Sequence, residues 1–340
     1  MTNRTYLDFN ATAPLRDEAR AAMLAAMDLT GNPSSVHAEG RAAKAAIERA
    51  RAQVAEAVGC QVAEVVFTAG ATEAASVLSG LGPVAVDETA HDAVWAHRSD
   101  GAPRTRAMGL ANSETGVIAS VPTEKGDELL FVDATQAIGR IPWSFAWSVA
   151  DLAVLSAHKL GGPKGVGALI VRRGLEIPAL QLGGGQEMGR RSGTENVAAI
   201  AGFGAAAKAA MDDLSAGVWS SVEELRNILE TGLAGAAPDA IFVGQDGQRL
   251  PNTSCVIVPG WKGETQVMQM DLAGYAISSG SACSSGKVKT SRVLRAMGFD
   301  DVAASSAIRV SLGPQTTRDQ VMGFVAAWSR QYEKFRARAA

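Results

Sequence analysis

The sequence predicts an α/β protein with a mostly parallel, doubly wound sheet and a second, smaller α/β domain. Short apolar runs alternate with helical patterns through the first half of the chain, and Gly- or Pro-rich turns separate them. One run, Leu152–Leu155, leads directly into Ser-Ala-His-Lys and a glycine-rich turn. Strands that alternate with helices favour parallel pairing through right-handed crossovers.

Size and composition set the broad class. A chain of 340 residues, 47% hydrophobic and 20% charged, can form one large domain and a smaller one. The net charge of −3, with both signs interspersed, predicts neither a nucleic-acid nor a membrane partner. No apolar run approaches the ~18 residues of a membrane span, and the amino terminus lacks a signal-peptide core.

The elements of the first half follow from periodicity and end signals. An extended arm, 1–15, precedes the first helix, and the long helix stops at Gly59, where a left-handed cap is expected. The predicted helices are 16–27, about 41–58, 72–79 and 92–97. The predicted strands are 64–68, 83–86, 104–110, 129–133, 152–155 and 166–171.

The remaining residues predict a second α/β layer after a glycine-rich loop, 182–194. Its predicted helices are 195–211, 220–233, about 263–273, 291–297 and 317–336, and its predicted strands are 241–243, 254–258, 276–278 and 307–311. We therefore expect a large domain, 16–235, and a small domain made of 1–15 and 236–340.

Lys159 is predicted to lie just beyond the carboxyl end of a buried strand, where open α/β sheets bind ligands. Desolvation at such a place favours the neutral, nucleophilic amine. Asp133 also ends a strand, and a crossover of 18 residues, 134–151, can bring the two together. A lysine beside a carboxylate is the pair that a pyridoxal cofactor requires. The alternatives are a solvated loop lysine and an aspartate that caps a helix.

Other residues are candidates for a phosphate site. Ala71 and Thr72 lie between a strand and a helix, where free backbone N–H groups can hold an anion. The alternative is a simple helix cap at Thr72. Further candidates are Ser156, His158 and Thr194. His91 could stack on a cofactor ring and move protons, or could be an ordinary surface histidine.

The chain has three cysteines, too few and too scattered for a disulfide framework or a metal site, so a reducing cytoplasm is expected. Cys283 lies in a Ser/Gly-rich stretch that suggests an exposed, mobile thiol. Cys255 falls in an apolar run and is predicted to be a core residue, and Cys60 follows a helix end and is predicted to be either structural or a bystander. Arg309, inside a strand, needs an anion partner, either a substrate carboxylate or an ion pair between the domains.

Taken together, these segments resemble the cysteine desulfurases of the nitrogen-fixation and iron–sulfur-assembly branch, which are class V aminotransferase-like, fold-type I pyridoxal-phosphate enzymes. Eleven motifs occur in register along the chain, and SAHK with GGGQE…RSGT is the most specific part. The others include YLDFNATAP, GNPSSVHAEG, TAGATE, VDATQAIG, SSGSACSSG and AIRVSLG.

The resemblance implies a role for each residue. Lys159 would bind pyridoxal 5′-phosphate covalently, Asp133 would pair with its ring nitrogen, and Gln136 would hydrogen-bond its ring oxygen. His91 would stack on the ring and assist proton transfer. The phosphate would be held by Ala71 (backbone), Thr72, Ser156, His158 and, from the partner subunit of a homodimer, Thr194. The substrate side would comprise Asn10, Asn112 and Arg309, with Cys283 as the sulfur-accepting nucleophile.

The implied activity is conversion of L-cysteine to L-alanine, with sulfur left as a persulfide on Cys283 for iron–sulfur cluster or thio-cofactor biosynthesis. A sulfur-acceptor protein is an expected partner. The alternatives are a selenocysteine lyase, a class V aminotransferase, or a compacted, non-catalytic sulfur-trafficking relative.

Three departures from the family pattern stand out. Only 21 positions separate His91 from Asn112, and 21 separate Asn112 from Asp133, both shorter than is typical. Phe9-Asn10 replaces paired asparagines. The chain is also expected to lack the C-terminal extension that some members use to dock a scaffold protein.

Overall fold

The computed structural model describes residues 4–280 and 290–339. In chain order, its strands are β1 (Thr5–Tyr6), β2 (Val65–Thr68), β3 (Val84–Val86), β4 (Thr105–Gly109), β5 (Leu129–Asp133), β6 (Leu152–Ser156), β7 (Gly167–Val171), β8 (Ile241–Phe242), β9 (Thr253–Ile257), β10 (Tyr275–Ala276), β11 (Ser278–Ser279) and β12 (Ala307–Ser311). Its α-helices are α1 (Asp17–Met27), α2 (Ala38–Val58), α3 (Ala71–Ala75), α4 (Asp92–Trp95), α5 (Val197–Ser215), α6 (Val218–Ala236), α7 (Gly263–Leu272), α8 (Arg292–Ala296), α9 (Asp301–Ser305) and α10 (Arg318–Ala339).

The chain divides into two compact units. The larger unit comprises Ala13–Ala111 and Ala119–Ala216, and the smaller unit comprises Met1–Thr12, Asn112–Ile118 and Gly217–Ala340. The predicted domain bounds differ in that they place α6 and the segment 112–118 with the large domain, and residues 13–15 with the small domain. In the structure, α6 packs against α10 and β9, because its buried residues include Val222, Leu229 and Leu233 on one face.

The larger unit is built on a six-stranded sheet in the order β2-β7-β6-β5-β4-β3. The pairs from β3 through β6 are parallel, and β7 is antiparallel to both β6 and β2. The carboxyl ends of β2 through β6 therefore share one edge of the sheet. The predicted mostly parallel α/β architecture is confirmed. Side chains of β2, β6 and β7 are buried throughout, as apolar runs without alternation predict.

Helices α1 and α2 pack against α5 on this unit. Helix α2 ends where predicted, at Gly59, whose φ of 68° is the left-handed conformation that glycine favours. It begins three residues earlier than predicted, because the His37 side chain accepts a hydrogen bond from the Gly40 backbone N–H and caps the first turn.

The smaller unit contains a four-stranded antiparallel sheet, β11-β12-β9-β8, and a two-stranded parallel sheet, β1-β10. The single strand predicted at 276–278 is therefore two strands that join different sheets. Buried aromatic rings pack α10 onto the unit, with Trp328 lying 5.3 Å from Trp261 between ring centroids. Among the described residues, no helix is long and apolar enough to cross a membrane.

Candidate active site

The carboxyl edge of the larger unit's sheet brings two predicted residues onto adjacent strands. Asp133 ends β5 and lies opposite Val154 of β6, and β6 ends two residues later at Ser156. A single 3-10 turn, Ala157–Lys159, follows and carries Lys159 just past this edge. The short crossover predicted this adjacency of the two strands, and the structure has it.

Asp133 also stabilises the turn that follows it. Its Oδ1 accepts a hydrogen bond from the Thr135 backbone N–H at 3.0 Å, but residues 135–140 form turns and no helix, so the interpretation of Asp133 as a helix cap is wrong. The hydroxyl of Thr135 is buried and has no hydrogen-bond partner within the described part of the chain. A buried hydroxyl without a partner next to Asp133 is consistent with a polar ligand at this edge.

Arg140 connects two of the predicted cofactor residues and was not predicted from the sequence. Its Nη1 donates to Gln136 Oε1 at 2.6 Å, and its Nη2 donates to the Lys159 carbonyl oxygen at 3.1 Å. Arg140 as a whole is only 4% exposed. It therefore fixes Gln136 relative to the backbone of Lys159. Its position four residues after Gln136 was the available sequence signal.

The loop before α3 lies against the end of β6. A Cβ placed on Gly167, the first residue of β7, would come within 2.7 Å of the Gly70 Cα, so only glycine permits this approach. A Cβ on Gly70 would lie 3.9 Å from Ser156 Oγ. Ala71 and Thr72, the next residues, thus lie close to the buried Ser156.

Two expectations for this loop need correction. Gly70, and not Thr72, is the N-cap residue of α3, so the interpretation of Thr72 as a helix cap is wrong. The predicted helix 72–79 is five α-helical residues followed by a 3-10 turn, Ser76–Gly80. A helix this short has only a weak macrodipole, so side chains and individual N–H groups would provide most of any anion binding.

His158 lies among positive charges. Burial, reinforced by the charges of Lys159, Lys164 and Arg140, lowers the pKa of His158 to about 4. The imidazole is therefore neutral at pH 7, in surroundings that attract an anion. Together with the Ser156 hydroxyl, this donor set fits a phosphate group.

His91 caps α4. Its Nδ1 accepts a hydrogen bond from the Ala93 backbone N–H at 3.1 Å, which assigns the proton of the neutral ring to Nε2. Thr194 is exposed and lies in the segment that leads to α5. Nearby, Arg191 Nε donates to Glu73 Oε1 at 2.9 Å, which ties this segment to α3, the short helix that contains Thr72.

A buried ion pair anchors the glycine-rich loop before Thr194. Arg51 Nη1 and Nη2 bind the two carboxylate oxygens of Glu187 at 2.6 and 2.8 Å, and the side chains are 7% and 1% exposed. Glu187 also accepts from the Phe67 backbone N–H at 2.8 Å. The sequence did not predict this pair, whose members are 136 positions apart.

The predicted substrate residues lie together in the smaller unit. Arg309 Nη1 and Asn10 Nδ2 both donate to the Ser113 carbonyl oxygen, at 3.0 and 3.1 Å. The neighbouring Asn112 Oδ1 accepts from the backbone N–H groups of Glu114 and Thr115, both at 2.9 Å, and so shapes the turn. Arg309 does form an ion pair, but with Asp8 of the same unit, whereas the sequence suggested a pair between domains.

Cys283, the predicted nucleophile, lies outside the described residues. The other two cysteines are poor nucleophiles. Burial, assisted by the charge of Glu64, raises the pKa of the Cys60 thiol to about 12. Cys255 is completely buried, which raises its pKa strongly. Cys255 lies in the core, as the sequence predicts, and neither thiol is suited to be the reactive one. In the described ranges, no group of three His, Cys, Asp or Glu side chains could hold a metal ion.

The fold and this site define an α/β enzyme of the pyridoxal-phosphate type. The family model for aminotransferase class-V matches residues 5–91 and 100–324, and the chain belongs to this family. The resemblance noted in the sequence is confirmed, and it assigns pyridoxal 5′-phosphate as the cofactor. The break in the match directly follows His91, in the interval that the sequence suggests is short.

Relatives of known name support this placement. A cysteine desulfurase from Cereibacter sphaeroides is 38% identical over 363 aligned positions, which cover 94% of this chain and 93% of the relative. These 363 positions exceed the 340 residues of the chain, so the relative has residues without a counterpart here. A NifS-like protein from Rickettsia africae superposes with a TM-score of 0.89 at 30% identity, over 97% of this chain and 100% of that structure. SspA in complex with cysteine has a TM-score of 0.75 at 25% identity, over 92% and 100% of the two chains.

Proposed function

We propose that this protein is a pyridoxal-phosphate-dependent cysteine desulfurase that converts L-cysteine to L-alanine and leaves the sulfur as a persulfide on Cys283. The observation that carries the proposal is the edge of the larger unit's sheet, where Asp133, Ser156 and Lys159 lie at the ends of adjacent strands. It is supported by three relatives, 37–38% identical over 93–94% of this chain, that are named cysteine desulfurases.

The cofactor's binding residues follow from the site. Lys159 Nζ would attach the cofactor, and the Asp133 carboxylate would keep the ring nitrogen protonated. Ser156, His158, Thr72 and the backbone N–H of Ala71 would hold the phosphate. When bound, pyridoxal phosphate supplies an electron sink for negative charge at the substrate Cα.

Proton movement would fall to two residues. Lys159 Nζ, once released by the incoming substrate amine, would take the proton from Cα. His91, neutral with its proton on Nε2, would stack on the ring and serve as a second proton carrier. Gln136, held by Arg140, would hydrogen-bond the ring oxygen.

The sulfur step would belong to Cys283. Its thiolate attacks the substrate sulfur, a new S–S bond forms, and the C–S bond breaks with its electron pair going to the carbon fragment. Protonation of that fragment gives alanine. Asn10, Asn112 and Arg309 would orient the substrate carboxylate during this step.

The assembly around the site is also part of the proposal. Thr194 is exposed, and in a homodimer it would contribute to the phosphate site of the partner subunit. Persulfide sulfur would then pass to an acceptor protein for iron–sulfur cluster or thio-cofactor synthesis. A reactive thiol such as that of Cys283 stays reduced in the cytoplasm, so we expect the protein to act there.

Two variants test these assignments. Cys283→Ala should keep the visible absorbance of the bound cofactor but form no persulfide, while the control Cys60→Ala keeps both. Lys159→Ala should lose the absorbance band of the covalently attached cofactor. Wild-type rates of sulfide release from free cysteine by Cys283→Ala would refute the nucleophile assignment. Alanine formation that requires a keto acid would indicate an aminotransferase instead.

A further inference from the structure

The guanidinium of Arg309 is held firmly but is not saturated. Arg309 lies in the centre of β12, and its side chain is only 3% exposed. Nη2 donates to Asp8 Oδ1 at 2.7 Å, and Nη1 donates to the Ser113 carbonyl oxygen at 3.0 Å. Nε is buried without a hydrogen-bond partner within the described part of the chain. A guanidinium has five N–H donors, so donors remain for a second anion.

Asp8 is fixed from several sides. Its side chain is 14% exposed, and its second oxygen, Oδ2, accepts from the Ser278 hydroxyl at 2.8 Å. The Tyr6 hydroxyl donates to the carbonyl oxygens of Asp8 and Thr12, at 3.0 and 2.8 Å. Burial, and then the charge of Asp8, raises the pKa of Tyr6 to about 12, so this hydroxyl remains a donor at neutral pH. The Asp8 carboxylate therefore cannot easily turn away from Arg309.

We propose that Asp8 is a positioning residue that acts through Arg309: it is the resident counter-ion of this guanidinium and sets how tightly the substrate α-carboxylate binds. The inference rests on the proposed function, in which Arg309 binds that carboxylate. Two negative groups would then share one positive charge. Asp8 holds the donors in place and at the same time lowers the affinity of the guanidinium for the incoming carboxylate.

The buried position makes this effect measurable. A buried arginine that loses its carboxylate partner is an uncompensated charge, and an added carboxylate restores the balance. Removal of the Asp8 charge should therefore destabilise the free enzyme and tighten carboxylate binding. A purely structural role for Asp8 would change stability without any preference for ligands that carry a carboxylate.

The test is Asp8→Asn, which keeps the shape and one of the two oxygen acceptors but removes the charge. We expect the dissociation constant of L-alanine and the KM of L-cysteine to fall about fivefold. Cysteamine, which has the amine and thiol but no carboxylate, should bind as it does to the wild type. L-Alanine and cysteamine binding are measured by calorimetry. Asp8→Ser removes the same charge and should give the same gain if Asp8→Asn does not fold.

The matched control is Glu230→Gln, which removes the charge of another partly buried carboxylate in the smaller unit, where Glu230 binds Arg249 at 2.7 and 3.0 Å. It should lower the melting temperature but leave L-alanine affinity unchanged. The inference about Asp8 would be overturned, and the proposed function would still stand, if the Asp8 variants bound L-alanine no more tightly than the wild type. An equal change in cysteamine affinity would overturn it too. A wild-type protein that forms no alanine from L-cysteine would instead overturn the proposed function.

Discussion

Thiol reactivity should separate Cys283 sharply from the other two cysteines in the native protein. Cys60 is mostly buried, and burial raises the pKa of its thiol from the ordinary value of 9.0 to about 12. The thiolate is the reactive form, so this rise lowers the reactive fraction of Cys60 at neutral pH about a thousandfold. Cys255 has no exposed surface, and burial raises its pKa further.

Alkylation with iodoacetamide at pH 7 measures this difference directly. Mass spectrometry of peptides taken over time should show Cys283 labelled at least about a hundred times faster than Cys60 or Cys255. In urea-unfolded protein, all three cysteines should be labelled at similar rates, because the burial that raises the two pKa values is lost. Cys283→Ala should remove the fast phase altogether.

The same experiment can refute the reasoning. Labelling of Cys60 in the folded protein at a rate near that of Cys283 would mean that burial does not suppress its thiolate. A fast phase that persists in Cys283→Ala would show that another thiol is available for sulfur transfer.

Two further predictions concern the larger unit. Burial lowers the pKa of His158 to about 4 in the folded protein, below the ordinary 6.5. As the pH falls, this histidine is therefore protonated in the unfolded chain before it is protonated in the folded protein. The cofactor-free protein should therefore lose stability as pH falls from about 6.5 to about 4. Urea denaturation gives the free energy of unfolding at each pH, and His158→Gln should flatten its pH dependence over this range. The same pH dependence in the wild type and the variant would contradict the assignment. Glu187→Gln should lower the free energy of unfolding by about 3 kcal/mol, because it removes the buried counter-ion of Arg51 and leaves only the exposed Glu48. Glu48→Gln removes the exposed partner of the same arginine and should lower it by less than about 1 kcal/mol, so equal losses in the two variants would refute the argument.

Much of the fold was predictable because apolar runs and turn signals agree with each other. The bounds of Leu129–Asp133 and Ala307–Ser311 were predicted without error, since each run is short, buried and followed by turn residues. Element ends were less predictable where a side chain that is not a usual cap intervenes, as His37 does at the start of α2. The length of α3 was overestimated because the chain tightens into a 3-10 turn after Ala75.

The residues of the candidate site also differ in whether the sequence could predict their positions. Residues that follow strand ends, such as Asp133 and Lys159, could be placed from spacing alone. The ion pair that holds Arg309 in position could not be predicted, because its two members lie on elements that are far apart in sequence. Asp8 and Arg309 are 301 positions apart, and no periodicity connects them. The roles assigned to the site residues stay predictions.

The most direct test of the central claim is the absorbance spectrum of the purified, cofactor-loaded protein before and after addition of L-cysteine, with alanine assayed in the same sample. We predict a visible cofactor band that changes on mixing, and one alanine formed for each sulfur recovered as persulfide or sulfide. A colourless protein that does not take up added pyridoxal phosphate, or a coloured one that forms no alanine, would contradict the account.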